Sequence, residues 1–379
     1  MSSEIPTFPP PPRRSLPLAV IVAVSIVSGF GGAFLLFWFF PEVRQTRIPP
    51  GTQSVIVQGP GKVVVEESTR LRELREQNKR VVAGIYRSDA GLKIGDTMIY
   101  PESRLLGAAV LLTTDGWFAA TTAVSAKVGD ILLVESRSYR IEKLMTDTAS
   151  PYVMGKIAGG ERLTPLTFSD TEDRHAGMTL WTLGANGETA KTVLLSDKVQ
   201  LNLNTSDDSP VITSSDKLSL ALALETQQRF PAATPVFDLG GQLTGLIFSL
   251  SDGRGVVLPS DVLQSFMINV LKFGTPRRPF LGVSYVFDAY PAGENNEPTA
   301  IIYNDQTDKG VVPKSPAARA GLRTGDQLVS VNGAPLDSIS SFFVLVQQYN
   351  PGDNISIEYR RQSKQHETTV TLGELPVKK

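Results

Sequence analysis

Between residues 83 and 270 the chain repeats one device, a short apolar run closed by a turn. VVAGIY, LLGAAVLL, WFAATTAV, DILLV, YVMGKI, MTLWTLG, TVLLS and LSLALAL follow one another at a spacing of roughly 8–12 residues, the signature of an all-β unit. Runs this short suit strands and are too brief for buried helices. Asp115-Gly116 between two of them is a hairpin turn signal. Spacing alone leaves a sandwich and a barrel equally open. A hairpin also stands out at Arg229–Ser249, where Pro235-Val236-Phe237-Asp238 and Thr244–Phe248 flank a turn at Gly240-Gly241.

The rest of the 379-residue chain divides around this unit. Residues 1–14 are polar and proline-rich, a tail that favours extended polyproline II and cannot build a core. Residues 15–40 carry no charge, and as a helix they span about 36–39 Å, enough to cross a bilayer with tilt. The competing reading, a cleaved signal peptide, fits less well, because the run exceeds the usual apolar region and no A-x-A site follows. Phe37, Trp38, Phe39 and Phe40 suit the interface at its exit, and Arg13 and Arg14 before it place the N-terminus in the cytoplasm, although Arg44 and Arg47 follow. The large C-terminal part is then extracytoplasmic. Residues 41–82 read as a linker, with short strands at 54–58 and 62–65, and a charged helix over 66–82. Leu71, Leu74, Asn78 and Val81 form that helix's narrow apolar stripe, for its own domain or for a second subunit.

A second unit occupies 279–376. It holds the strand runs FLGVSYV, QLVSVNG, ISIEYRR and TTVTLGEL, a short helix at 316–320 and a longer one near 338–348, where Phe342, Leu345, Val346 and Tyr349 share a face. Asn332-Gly333 marks a tight hairpin. Net charge is −1, which offers no nucleic-acid surface. With no cysteine there are no disulfides, thiolate metal sites or cysteine nucleophiles. No metal cluster or nucleotide fingerprint is present, so no cofactor is expected. There are two histidines, His175 in a polar loop and His366 in the last hairpin.

Pro279-Phe280-Leu281-Gly282-Val283 resembles P-Y-L-G-V, and Lys314-Ser315-Pro316-Ala317-Ala318-Arg319-Ala320-Gly321-Leu322 resembles G-S-P-A-x-x-A-G-L, followed by Gly325-Asp326 and Val331-Asn332-Gly333. These are motifs of the PDZ domain of the HtrA/Deg family of trypsin-like serine proteases. Colinear matches continue upstream in Ala109–Ser125, Asp147–Ile157, Gly177–Gly184, Gly255–Asp261 and the hairpin at 229–249. The resemblance covers about 75–376. An insert at 288–309 departs from the shortest members. It implies a mainly β protein, with an N-terminal transmembrane helix, a chymotrypsin-like double six-stranded β-barrel over 83–274 and an α+β PDZ domain over 279–376.

The family's catalytic histidine falls on Ala123, its aspartate on Pro151 and its serine on Ala232. An alanine methyl cannot attack a carbonyl, and neither histidine follows an apolar strand of the first barrel, where a base must sit. The oxyanion turn also departs, with Phe230 for the family glycine and Pro231 fixing its own φ. Thr234 and Asp147 are the nearest substitutes for a nucleophile and an acid. The expectation is therefore a membrane-anchored, catalytically degenerate member, not an enzyme, lying in the inner or plasma membrane. In a PDZ domain an extended C-terminal peptide adds to the sheet edge. By resemblance, Phe280, Leu281, Gly282 and Val283 cradle its carboxylate, and Ser284, Tyr285 and Val286 pair with its backbone. Leu281, Val283 and the 338–348 helix line the pocket for the last residue. The resemblance also implies a trimer, with itself or with an active paralogue. An active endopeptidase with another catalytic set, and a subunit that only pads an assembly, are the other two readings.

Overall fold

The alternation of short strands and turns folds into two barrels, with a third sheet after them. The computed structural model describes residues 66–379 except 171–173, 202–211, 227, 252, 290–298, 305–308, 337–340 and 377–379. The expected transmembrane helix at 15–40 and the linker strands lie outside these residues. Among the described residues no helix is long and apolar enough to cross a membrane.

Helix α1 (Glu66–Asn78) is followed by β1 (Val82–Tyr86), an exposed hairpin of β2 (Leu92–Ile94) and β3 (Thr97–Ile99), then β4 (Leu105–Leu111), β5 (Trp117–Thr121), β6 (Ile131–Val134), β7 (Arg137–Thr146) and β8 (Tyr152–Ile157). Strands β1-β4-β5-β8-β7-β6 close into the first barrel. The second barrel runs β10-β12-β15-β14-β13-β9. Its strands are β9 (Thr179–Leu183), β10 (Thr189–Gln200), β12 (Leu220–Glu225), β13 (Pro235–Phe237), β14 (Leu243–Ser251) and β15 (Arg254–Pro259). The short β11 (Ile212–Ser214) belongs to neither barrel. Within β14, Gly245 lies so close to the Leu258 carbonyl of β15 that any Cβ would collide with it. That is why the strand run contains a glycine.

Helix α2 (Ser260–Phe273) leaves the second barrel and ends at Gly274, whose φ of 73° is a left-handed cap. After it come β16 (Pro279–Phe280), β17 (Ser284–Ala289), β18 (Thr299–Ile302), α3 (Pro316–Arg319), β19 (Gln327–Val331), β20 (Ala334–Pro335), α4 (Phe342–Gln347), β21 (Asn354–Arg361), β22 (Lys364–Thr371) and β23 (Gly373–Glu374). Strand β18 narrows the expected insert at 288–309, because four of its residues are part of the sheet. The Asn332-Gly333 hairpin forms with φ values of 48° and 79°, as a two-residue turn between β19 and β20 requires. The last helix is shorter than 338–348, since Ser341 caps it by accepting the Val344 N–H.

The apolar stripe of α1 docks on its own domain. Leu74 is fully buried, and the Asn78 amide donates to the Gly241 carbonyl in the β13–β14 turn at 3.1 Å. Tyr152, at the start of β8, ties the barrels together. Its buried hydroxyl lies 2.6 Å from the Leu258 carbonyl and 3.0 Å from that of Pro259, and burial pushes it well above the ordinary phenol range.

Candidate functional site

The three positions where a triad would stand are on segments that meet where the barrels join. Ala123 is exposed in the single turn Thr122–Val124 after β5. The Thr122 N–H donates to the Pro151 carbonyl at 2.9 Å, which fixes the Ala123 and Pro151 segments together. The Ala232 carbonyl accepts the Ala108 N–H of β4 at 2.8 Å, and the Val124 side chain flanks the same spot at Gly107. The side chains at these positions are a methyl, a pyrrolidine and a methyl.

The substitutes have other partners. The Thr234 hydroxyl, fully buried, donates to the Pro231 carbonyl at 2.8 Å. Asp147 forms a bidentate pair with Arg278, Nε to Oδ1 at 2.8 Å and Nη2 to Oδ2 at 2.7 Å, and neither side chain has any exposure. The same carboxylate accepts from the Ala149 N–H and the Ser150 hydroxyl. His175 lies exposed before β9, and His366 lies on β22, its ring stacked on Tyr359.

The loop that would form an oxyanion hole is a turn in which the Pro231 carbonyl accepts the Thr234 N–H at 3.2 Å. Its left-handed residue is Ala233, at φ 60°, and not Phe230. An alanine there costs about 1–2 kcal/mol. Its fully buried methyl, packed in the core, offsets part of that cost. Phe230 is itself buried against Leu180, Leu222 and Val257 in the second barrel's core.

The second candidate site is the edge of the last sheet, and there the chain supplies its own occupant. Strand β11 adds to that sheet antiparallel to β17, pairing Ile212 with Val286, Thr213 with Tyr285 and Ser214 with Ser284. The Ser215 N–H donates to the Val283 carbonyl at 2.9 Å, and the Val283 N–H donates to the Ser215 hydroxyl oxygen at 3.0 Å. The Leu281 N–H reaches Asp216 Oδ1 at 2.8 Å, and the Gly282 N–H reaches Oδ2 at 3.0 Å. The loop can point its donors this way because Gly282 sits at φ 86°, and any Cβ there would collide with Ser315. On the other side of the groove, the Gln347 amide of α4 donates to the Ser215 and Pro279 carbonyls, both at 3.3 Å. Of the expected binding residues, Leu281, Gly282, Val283, Ser284, Tyr285 and Val286 all contact this segment, while Phe280 instead pairs with Gly373.

Sequence reasoning missed β11. Its signal is the β-branched Ile212-Thr213 pair followed by Ser214-Ser215-Asp216, too short to register as a strand beside longer apolar runs. Burial pushes the Asp216 carboxyl up to about 6 from an ordinary 3.8, against the opposing pull of the Leu281 and Gly282 N–H groups, the Ser215 hydroxyl and Lys217. Tyr285, buried on β17 and itself pushed up to about 12, mainly by burial with a small contribution from Asp216, is uncharged in this range, and α4 presents the neutral Gln347. A folded-state value above the unfolded one means the seated segment takes up a proton. The resulting stability is full below the ordinary value and is lost as pH rises through about 6. The Leu281 and Gly282 amides should therefore exchange about tenfold faster at pH 7 than at pH 5, after correction for intrinsic chemistry. Asp216→Asn should remove that dependence, and a flat wild-type profile would contradict the assignment.

Residues 307–361 match the PDZ domain family. Across 87% of its length the chain is 24% identical to a probable periplasmic serine endoprotease, DegP-like, from Halomonas elongata, covering 72% of that protein. It is 23% identical over 86% of its length to a probable periplasmic serine protease, do/HhoA-like, from Haemophilus influenzae, covering 70% of it. The chain is homologous to the HtrA-type serine proteases. The fold agrees: the solved structure of the HtrA-type protease AlgW with a tripeptide superposes with a TM-score of 0.54 over 81% of this chain and 98% of that one, at 20% identity. The PDZ match spans the Lys314–Leu322 and Val331–Gly333 motifs, and with the two six-stranded barrels before it this HtrA homologue has the double barrel and the PDZ domain that the sequence resemblance implies.

Proposed function

We propose that this HtrA homologue is a pseudoprotease, which binds exposed peptide C-termini through its PDZ domain without cleaving them. The observation that carries this reading is the chemistry of the side chains at the barrel junction. A backbone hydrogen bond joins the Ala123 and Pro151 segments, and another holds the Ala232 segment to β4 of the first barrel; these positions supply no nucleophile, no base and no orienting acid. Anchoring by residues 15–40, extracytoplasmic barrels and PDZ domain, and assembly as a trimer or with an active paralogue belong to the same proposal. They rest on the uncharged run and on periplasmic relatives. In that setting the protein acts as an adaptor, sensor or scaffold in protein quality control.

The relatives' own description as serine proteases favours turnover, and one assay separates the two readings. Purified full chain is incubated with unfolded casein and, in parallel, with fluorescent decapeptides ending in a free carboxylate. Peptide binding with casein intact is the expected result. Casein cleavage that follows the protein through purification would establish an endopeptidase with another catalytic set.

A further inference from the structure

The groove that would receive a peptide is already filled, and the filling has the chemistry of a ligand. Between paired Gln200 and Leu220 the chain leaves the second barrel, and residues 212–216 of that excursion lie along β17. We infer that residues 212–216 are an internal pseudo-ligand, with the Asp216 side-chain carboxylate standing where a peptide's terminal carboxylate would sit, so that peptides carrying a free C-terminal carboxylate bind only by displacing it. This rests on the peptide-binding reading above and adds a competitor to it.

Three observations support the substitution. The pairing is strand addition, the mode by which such grooves take extended peptides. The carboxylate accepts successive loop N–H groups from Leu281 and Gly282, the contacts a terminal carboxylate makes in a backbone nest. The segment is seated tightly, with Thr213, Ser215 and Asp216 buried and the Thr213 hydroxyl donating to the Tyr285 carbonyl at 3.0 Å. An occupied groove lowers apparent affinity by the fraction of molecules in which it is open. Displacement also reaches the barrel junction, because the Leu218 N–H donates to the Ala149 carbonyl at 2.7 Å, in the loop between Asp147 and Pro151.

The test uses the absence of cysteine from this chain. Ser214→Cys combined with Ser284→Cys places two thiols on directly paired residues, so mild oxidation of the full chain should lock the segment in place. Fluorescent random decapeptides with a free C-terminal carboxylate, and the same library amidated, are titrated into the oxidised and reduced forms. Binding should be lost on oxidation, return with reductant, and be confined to the free-carboxylate library. Asp216→Ala should bind that library about tenfold or more tightly than the unmodified chain, because the competing hydrogen bonds from the Leu281 and Gly282 N–H groups are gone. Equal binding by the locked and reduced forms, or failure of the disulfide to form, overturns the pseudo-ligand while leaving peptide binding standing. No binding by any form, Asp216→Ala included, overturns the peptide-binding reading and this inference with it.

Discussion

Asp147→Ala should destabilise the protein more than any other single substitution at the sites described here, by about 3–5 kcal/mol, because it strands a buried guanidinium. Arg278 has no exposed side-chain surface. Besides Asp147, its guanidinium has the Ser265 hydroxyl at 2.8 Å, the Val262 carbonyl at 3.3 Å and the Phe266 ring beneath it at 5.4 Å. None of these neutralises the charge. The pair joins the loop before β8 to the linker after α2, and the Arg278 carbonyl accepts the Leu375 N–H at 2.8 Å, so its loss loosens the junction between the barrels and the last sheet. Thermal unfolding of the full chain should fall by about 10 °C, taking a few degrees per kcal/mol for a chain of this size. Replacing both partners with apolar residues, Asp147→Leu with Arg278→Met, should cost less than Asp147→Ala alone, since no buried charge is left unpaired. A single variant that melts within about 1 °C of the parent would show that the pair is not the buried clamp described.

Asp147 also shows where sequence reading stops. From the chain alone it is an acid four residues from Pro151, and nothing local says that its partner lies across the molecule at Arg278. The strands of the barrels were legible because short apolar runs and turn residues are local signals, whereas their closure into barrels was implied only by the resemblance, since spacing left a sandwich equally open. The last domain was legible through the resemblance of its motifs, and two of those carry residues their turns demand, Gly282 in a left-handed loop and Asn332-Gly333 in a tight hairpin. The stripe on α1 was readable as a stripe, and only Asn78 reaching Gly241 shows which surface it covers. Strand β11 was not legible, because a three-residue strand is stabilised by its partner edge and carries little pattern of its own. Its meaning comes from register: one residue of slip would move Asp216 away from the Leu281 and Gly282 amides.

Restoring the serine alone should restore nothing. In Ala232→Ser the new hydroxyl would have no histidine at position 123, and a serine hydroxyl needs an adjacent base to become a nucleophile. The histidines present cannot supply it: His175 precedes β9 in the second barrel, and His366 lies on β22 against Tyr359. The alternative acid, Asp147, is engaged by Arg278, Ser150 and Ala149. Triad members act as a unit, and in a serine protease the loss of one of them can cost about as much as the loss of all three, on the order of 10⁶ in kcat. Ala232→Ser should therefore cleave unfolded casein no faster than the parent chain and should not label with a fluorophosphonate probe. Ala123→His alone should be equally silent. Ala123→His, Pro151→Asp and Ala232→Ser together form the smallest set that returns nucleophile, base and orienting acid to segments already linked by the Thr122–Pro151 and Ala108–Ala232 hydrogen bonds. Even that set inherits a turn with Phe230 buried in the core and Ala233 at the left-handed position. Its rate should thus remain far below that of an intact triad and its oxyanion donors. Labelling or cleavage by Ala232→Ser alone would mean that a base reaches position 232 from elsewhere in the chain, and the argument that the site lacks a base would have to be abandoned.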